Sequence, residues 1–308
     1  MKVTNYGATL MQLLVPNKKE ELINVVVGLP NAKDYASKAY QDYNFYLGAT
    51  IGRYAGRVAN GGFYLENNFY KLEEDITLHG GKHSFDKQIW KVEEIQESGK
   101  PYIIFSLESK ERPGGFPGDL KVFAKYQILD NTLKISYSAT TDAPTIINMT
   151  NHSYFNLDGA GSVLGNQLLI NADYYLATNK QLVPTGELVA VKDSVFNYKL
   201  KTSLLLDGNQ GLDTPFKLNP TTPKASLFSE NSGIEMQVTT NQNCLVVFTP
   251  QEFPNMGLVD NYLFKKYPAI CFECQNFPNA PNQNSFPNAV LLPGENYVNE
   301  IGYHFTMR

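Results

Sequence analysis

Over residues 132–140 apolar and polar side chains take turns, with Leu133, Ile135, Tyr137 and Ala139 on one side and Lys134, Ser136, Ser138 and Thr140 on the other. A period of two belongs to a strand with one buried and one wet face, and it recurs along this chain. Residues 122–129 form a second such run, joined to the first by the short turn Asp130-Asn131. Ile234, Met236 and Val238 alternate with Glu235, Gln237 and Thr239 behind the turn Glu230-Asn231-Ser232-Gly233. Ser98-Gly99-Lys100-Pro101 separates residues 92–95 from 102–107, and Glu66-Asn67-Asn68 separates 63–65 from 69–72. Helical patterning is nearly absent, with residues 31–40 and 203–207 expected to be short helices at most. Short strands with turn chemistry at this spacing predict an all-β fold, a large sandwich or barrel of antiparallel sheets. A single domain over residues 1–308 is expected. The Asn- and Pro-rich run 276–288 leads straight into apolar Ala289-Val290-Leu291-Leu292, so it reads as a long surface loop rather than a linker.

Composition excludes several function classes. A net charge of -4 gives no electrostatic footprint for nucleic acid. Arginine occurs only as Arg53, Arg57, Arg112 and Arg308, which argues against a site that clamps phosphates. No apolar run approaches the roughly 20 residues of a membrane-spanning helix, and no signal-peptide core follows Met1-Lys2-Val3-Thr4. Cys244, Cys271 and Cys274 are a sparse, odd set, which suits a reducing cytoplasm better than a disulfide framework. The expectation is a cytoplasmic protein with neither nucleic-acid nor membrane partners, monomer and homodimer both remaining open.

Chemistry is carried by polar residues placed where a sheet core should be. In residues 48–63 Arg53 and Arg57 sit among small and apolar neighbours. Arg53 reads as a structural arginine paired with buried acids or carbonyls; for Arg57 a ligand hydroxyl is as good a partner. His79 precedes Gly80-Gly81, a loop that lets backbone approach a ligand. His152 lies between Asn151 and Ser153 in a polar–aromatic segment. Each is either a satisfied core histidine or an acid–base group. If residues 270–275 form a strand, Cys271, Glu273 and Gln275 share one face and Phe272 and Cys274 the other. Glu273 is then a carboxylate among apolar neighbours, which needs partners or a task. Cys271 and Cys274 point apart and cannot jointly grip a metal. His79 and His83 have helical spacing, but Gly80-Gly81 intervenes and no third ligand is near. No metal and no cofactor is expected, since Walker, Rossmann and nucleophile-elbow motifs are missing from the sequence.

The segments GRYAGRVANG, TLHGG, FDKQIW, TNHSYFNL, PTGE, FECQNFPNAPN and VLLPGENY follow one another in the order found in aldose 1-epimerases, and in this the chain resembles that family along essentially its whole length. The resemblance implies a galactose mutarotase-like supersandwich with a sugar cleft across one sheet. It also implies an enzyme that opens and recloses the ring of a free hexose such as galactose or glucose. By position, Glu273 resembles the general base, His152 the general acid and His79 an auxiliary histidine near the ring oxygen. Arg57 and Asp213 resemble ligands for sugar hydroxyls. Gly56 stands where family members often have Asn, and Thr214 where they often have His, two departures that bear on sugar preference. If base and acid reach the C1 hydroxyl and the ring oxygen through one hydrogen bond each, carboxylate and imidazole should stand about 5–8 Å apart. Two rival readings remain: a mutarotase for hexose 6-phosphates, and a non-catalytic carbohydrate-binding or regulatory module.

Overall fold

A computed structural model describes residues 1–43, 45–204, 211–254, 257 and 265–308. Two antiparallel sheets dominate it. The larger has nine strands in the order Lys91–Gln96, Tyr102–Ser109, Leu120–Leu129, Thr132–Thr141, Tyr297–Met307, Ile234–Thr240, Ala225–Phe228, Gln167–Ile170 and Thr202–Ser203. The smaller has six, in the order Tyr154–Phe155, Ile270–Gln275, Cys244–Phe248, Asp213–Leu218, Ala172–Thr178 and Pro184–Ala190. The all-β expectation holds, and the structure resolves it as a sandwich.

Alternation explains why the sheets pack. Leu133, Ile135, Tyr137 and Ala139 are buried, as are Val122, Ala124 and Tyr126 on the neighbouring strand and Ile301, Tyr303 and Phe305 on the other side. They meet Phe272, Cys274, Leu245, Val247 and Phe216 of the six-stranded sheet in one apolar cluster. Each strand gives one face to that cluster and turns the other away. Two side chains stitch the layers together: Tyr303 Oη donates to the Phe272 carbonyl at 3.1 Å, and Asn299 Nδ2 to the Cys274 carbonyl at 2.9 Å.

Two expectations need correction. Glu235 alternates onto the polar face, yet only 2% of its surface is exposed, because Lys201 and Arg308 close over its carboxylate with both contacts at 2.5 Å. Residues 276–280 are buried rather than a surface loop. Polar side chains make that burial possible by partnering the backbone. Asn148 brackets Asn276 through its amide, Tyr54 Oη donates to the Phe277 carbonyl, and the Ala59 N–H donates to Asn279 Oδ1. Of the two stretches expected to be short helices at most, 31–40 carries two, Ala32–Tyr35 and Lys38–Tyr43. In the other, 203–207, Thr202–Ser203 is a strand and residues 205–207 lie outside the described residues.

Candidate active site

Burial is complete along the strand Ile270–Gln275. Its core face is taken by Phe272 and Cys274, while Glu273 and Gln275 line a cleft of about 230 Å³ on the opposite face. Neighbouring strands continue that face in register. Val246 lies opposite Glu273 and Phe248 opposite Cys271; Pro215 then lies opposite Val246, and Asp213 opposite Phe248. Val246, Phe248, Pro215 and Asp213 all line the cleft. Thr214 alternates away from it and is buried on the other side, so this departure does not touch the cleft.

His152 comes from the outer neighbour of the same strand. Tyr154 pairs with Cys271 and Phe155 with Ile270. Continued by two residues, that register sets His152 against Glu273, and cross-strand neighbours on one face have Cβ atoms within about 5.5 Å. His152 Nε2 stands 3.5 Å from Glu273 Oε1, and both side chains are 4% exposed. The separation is shorter than the expected 5–8 Å because acid and base share one wall instead of facing each other across the cleft. On its far side, the His152 Nδ1 is 3.7 Å from the Cys271 thiol. The Glu273 Oε2 has no hydrogen-bond partner among the described residues.

His79 is placed by a separate pair of strands. Arg57 pairs with Leu78 and Val58 with Thr77. Just beyond, the His79 N–H donates to the Gly56 carbonyl at 3.0 Å, and the Gly56 N–H donates to His79 Nδ1 at 3.1 Å. With that lone pair engaged, the neutral ring carries its proton on Nε2 and is a donor there. Gly80 follows at φ +86, where a Cβ would lie 2.3 Å from the Gly52 carbonyl oxygen, so only glycine fits this turn. The His79 ring packs edge-on against Tyr46 at 4.8 Å and His152 at 5.3 Å. Across the cleft, Arg57 Nη2 and Asp213 Oδ2 form an ion pair at 3.7 Å.

Burial governs protonation. Desolvation, reinforced by Asp213 and opposed by Arg57, pushes the Glu273 carboxyl up to about 8. Desolvation pushes His152 down to about 4. His79 falls well below the ordinary imidazole value for the same reason, with His152 and Arg57 adding to it. Asp213 is raised by burial against the pull of Arg57. Between the two limits the Glu273–His152 pair holds one proton, and both shifts favour it on Glu273 beside a neutral His152.

Ligand atoms of His79, His152 and Glu273 lie within 4.8 Å of one another, a spacing that could face a metal ion. The Gly56 N–H, however, occupies the nitrogen of His79 that has the free lone pair. Two uncommitted donors remain, fewer than the three protein ligands of catalytic zinc sites. The set suits proton transfer better than metal binding.

Other candidates fall outside the cleft. Arg53 donates to the carbonyls of Ser109, Lys110, Pro117 and Gly118 and to the Ser109 hydroxyl, a purely structural task. His83 is half exposed beside Glu73. Sequence reasoning missed Tyr46, Phe45 and Phe248, which give the cleft aromatic walls. Phe248 follows from strand register, which the sequence does not display. Nothing in the sequence marks Tyr46.

The family model described as Aldose 1-epimerase matches residues 1–304. Galactose mutarotase of Sus scrofa is 32% identical over 318 residues, covering 99% of this chain and 90% of that protein. Aldose 1-epimerase of Haemophilus influenzae is 32% identical over 300 residues, covering 92% and 85%. Among solved structures, an aldose epimerase homologue from C. elegans superposes with TM-score 0.90 at 29% identity, covering 98% of this chain and 94% of that one. Galactose 1-epimerase from Lactobacillus acidophilus gives TM-score 0.85 at 30% identity, covering 98% and 90%.

Proposed function

The chain belongs to the aldose 1-epimerase family and is an isomerase of hexose anomers; we propose that it acts on free galactose or glucose through Glu273, His152 and His79. The observation that carries this reading is the buried Glu273–His152 pair, 3.5 Å apart on one wall of a sugar-sized cleft.

Anomeric exchange needs the C1 hydroxyl to lose a proton while the ring oxygen gains one. The pair holds the single proton that this requires. In the less populated one-proton form, with His152 protonated and Glu273 ionised, the carboxylate takes the C1 hydroxyl proton and the imidazolium protonates the ring oxygen. The C1–O5 bond then breaks to an open aldehyde. Rotation about C1–C2 and reclosure on the other carbonyl face give the opposite anomer. Each positioned group of this kind contributes about 10²–10⁴ in rate. The His79 Nε2–H is suited to steady charge developing at the ring oxygen. Arg57 and Asp213 offer a donor fork and an acceptor for sugar hydroxyls. Tyr46, Phe45 and Phe248 give the C–H face of a pyranose an apolar surface.

Among the described residues Arg57 is the only lysine or arginine lining the cleft, and Asp213 already stands beside it. That disfavours a sugar phosphate. A cytoplasmic location fits the free thiols Cys244, Cys271 and Cys274. No described helix is long and apolar enough to cross a membrane. Polarimetry on a panel of free aldoses and glucose 6-phosphate tests the reading. Free galactose or glucose should equilibrate fastest. Sugar binding without any acceleration of mutarotation would replace the enzyme reading with that of a binding module.

A further inference from the structure

We propose that Gln275 binds one sugar hydroxyl and sets which hexose the cleft accepts, an assignment that rests on the mutarotase reading. Gln275 is 0% exposed and lines the cleft two residues beyond Glu273 on the same strand face. Neither its Oε1 nor its Nε2 has a hydrogen-bond partner among the described residues. Native proteins rarely leave both ends of a buried amide unpaired, and such a group calls for a ligand.

The neighbouring backbone keeps that amide uncovered. Gly56 holds φ +78, and a Cβ there would lie 2.7 Å from Pro278 Cβ and 3.3 Å from Gln275 Nε2. In this chain, position 56 therefore brings no side chain to shield or satisfy the amide from this side. A hydroxyl is both donor and acceptor, so it answers either atom of the amide. A site built to hydrogen-bond a hydroxyl discriminates strongly against the analogue lacking it, since its own polar groups are then left unpaired.

Gln275→Met keeps the side chain's length and removes both polar atoms. Its thermal midpoint should match or exceed that of the wild type, because an unpaired buried amide is gone. With the preferred hexose, kcat/KM should fall about 10- to 100-fold, mostly through KM, as expected for loss of uniform binding. Across a series of monodeoxy hexoses that loss should vanish for one sugar, the one lacking the hydroxyl that Gln275 holds. Gln275→Asn, with its amide withdrawn by one methylene, should restore part of the loss on hexoses that carry the hydroxyl. Wild-type kcat/KM across the whole panel would overturn the assignment. So would an equal loss on every sugar that tracks a fall in thermal midpoint. A wild-type enzyme that accelerates no free hexose would instead overturn the mutarotase reading beneath it.

Discussion

Glu273 and His152 are both pushed toward their neutral forms, Glu273 up to about 8 and His152 down to about 4. Below about pH 4 the pair takes a second proton and the base is lost; above about pH 8 it loses the one proton it must deliver. kcat/KM should therefore trace a bell with limbs near those values. In His152→Gln the alkaline limb should disappear, because a lone Glu273 only becomes a better base as pH rises through 8. An alkaline limb that persists in that variant would identify another residue as the acid. Stability follows the same groups with a definite sign. The folded value of Glu273 lies above the ordinary 4.5, so support from the neutral acid is complete below pH 4.5 and lost as pH rises through 8. His152 works in the other direction, its charging opposing folding as pH falls from 6.5 toward 4. Glu273→Gln should thus gain on the wild type between pH 4.5 and 8, reaching roughly 3–5 kcal/mol above that window, while turnover drops about 10²–10⁴-fold. Denaturant midpoints measured against pH decide it, and parallel curves for the two proteins would count against the ionisation account. Exhaustive chelation should leave activity intact; a loss reversed by one divalent ion would show that His79 can exchange Gly56 for a metal. At this scale the sequence was partly legible. Glu273 stood out as an acid in an apolar strand, and Arg53 read as structural while Arg57 stayed open between a structural partner and a ligand hydroxyl. Asp213 carried no signal apart from the family resemblance, since Gly211-Leu212-Asp213 otherwise reads as a turn. The close Glu273–His152 approach depends on which strands pair, and a side-chain pattern does not reveal that.

The strand Ile270–Gln275 is the element on which the site depends. Its outer neighbour pairs only at Cys271 and Ile270. Farther along, carbonyls of the strand accept side-chain donors from the opposite sheet, Tyr303 at Phe272 and Asn299 at Cys274, so both residues flanking Glu273 are tied down. Asn299→Ala would also leave the Met149 carbonyl, which Asn299 Nδ2 holds at 2.8 Å, with only the longer bond from Tyr297 Oη at 3.5 Å. The two weakened carbonyls should lower stability by about 1–3 kcal/mol. If Asn299 also fixes the carboxylate of Glu273, the proposed base, kcat should fall more than KM rises, since small misplacements of a reacting group are felt mainly in the chemical step. A stability loss with unchanged kinetics would confine Asn299 to packing. Arg53 supports a different element. Its guanidinium gathers four carbonyls from residues 109–118 against the segment that ends in Gly56 and Arg57. Arg53→Lys cannot reproduce that fork, and thermal melting should show a loss of about 2–4 kcal/mol. Strands were readable because alternation reports a face. The buried run 276–280 was misread because Asn and Pro look the same in a wet loop and in one whose backbone is satisfied by Asn148 and Tyr54.

Across the whole molecule, the order of strands in the nine-stranded sheet departs sharply from their order in sequence. Tyr297–Met307 lies between Thr132–Thr141 and Ile234–Thr240, pairing with the first from Thr132↔His304 to Ala139↔Tyr297 and with the second from Ile234↔Met307 to Thr240↔Ile301. Without it the sheet falls into two parts, each with a long raw edge of unpaired N–H and C=O groups. The side-chain pattern predicted antiparallel sheets, and the family resemblance implied the sandwich, but neither showed this insertion, since pairing partners far apart leave no mark on a local pattern. Removal of residues 297–308 should therefore send the protein into the aggregated fraction on expression, while the longer chain stays dispersed; sedimentation of the lysate distinguishes the two. The same arrangement places a constraint on biosynthesis. The central strand is made after every strand it joins, and it also carries the donors that hold the residues flanking Glu273. A growing chain can form the hairpin of residues 120–141 early, but it must wait for residues 297–307 to clear the ribosome before the sheet can close. Until then, every ribosome carries an inactive chain with two open edges, and the time between synthesis of residue 240 and release of residue 307 is the period in which neighbouring nascent chains can pair wrongly.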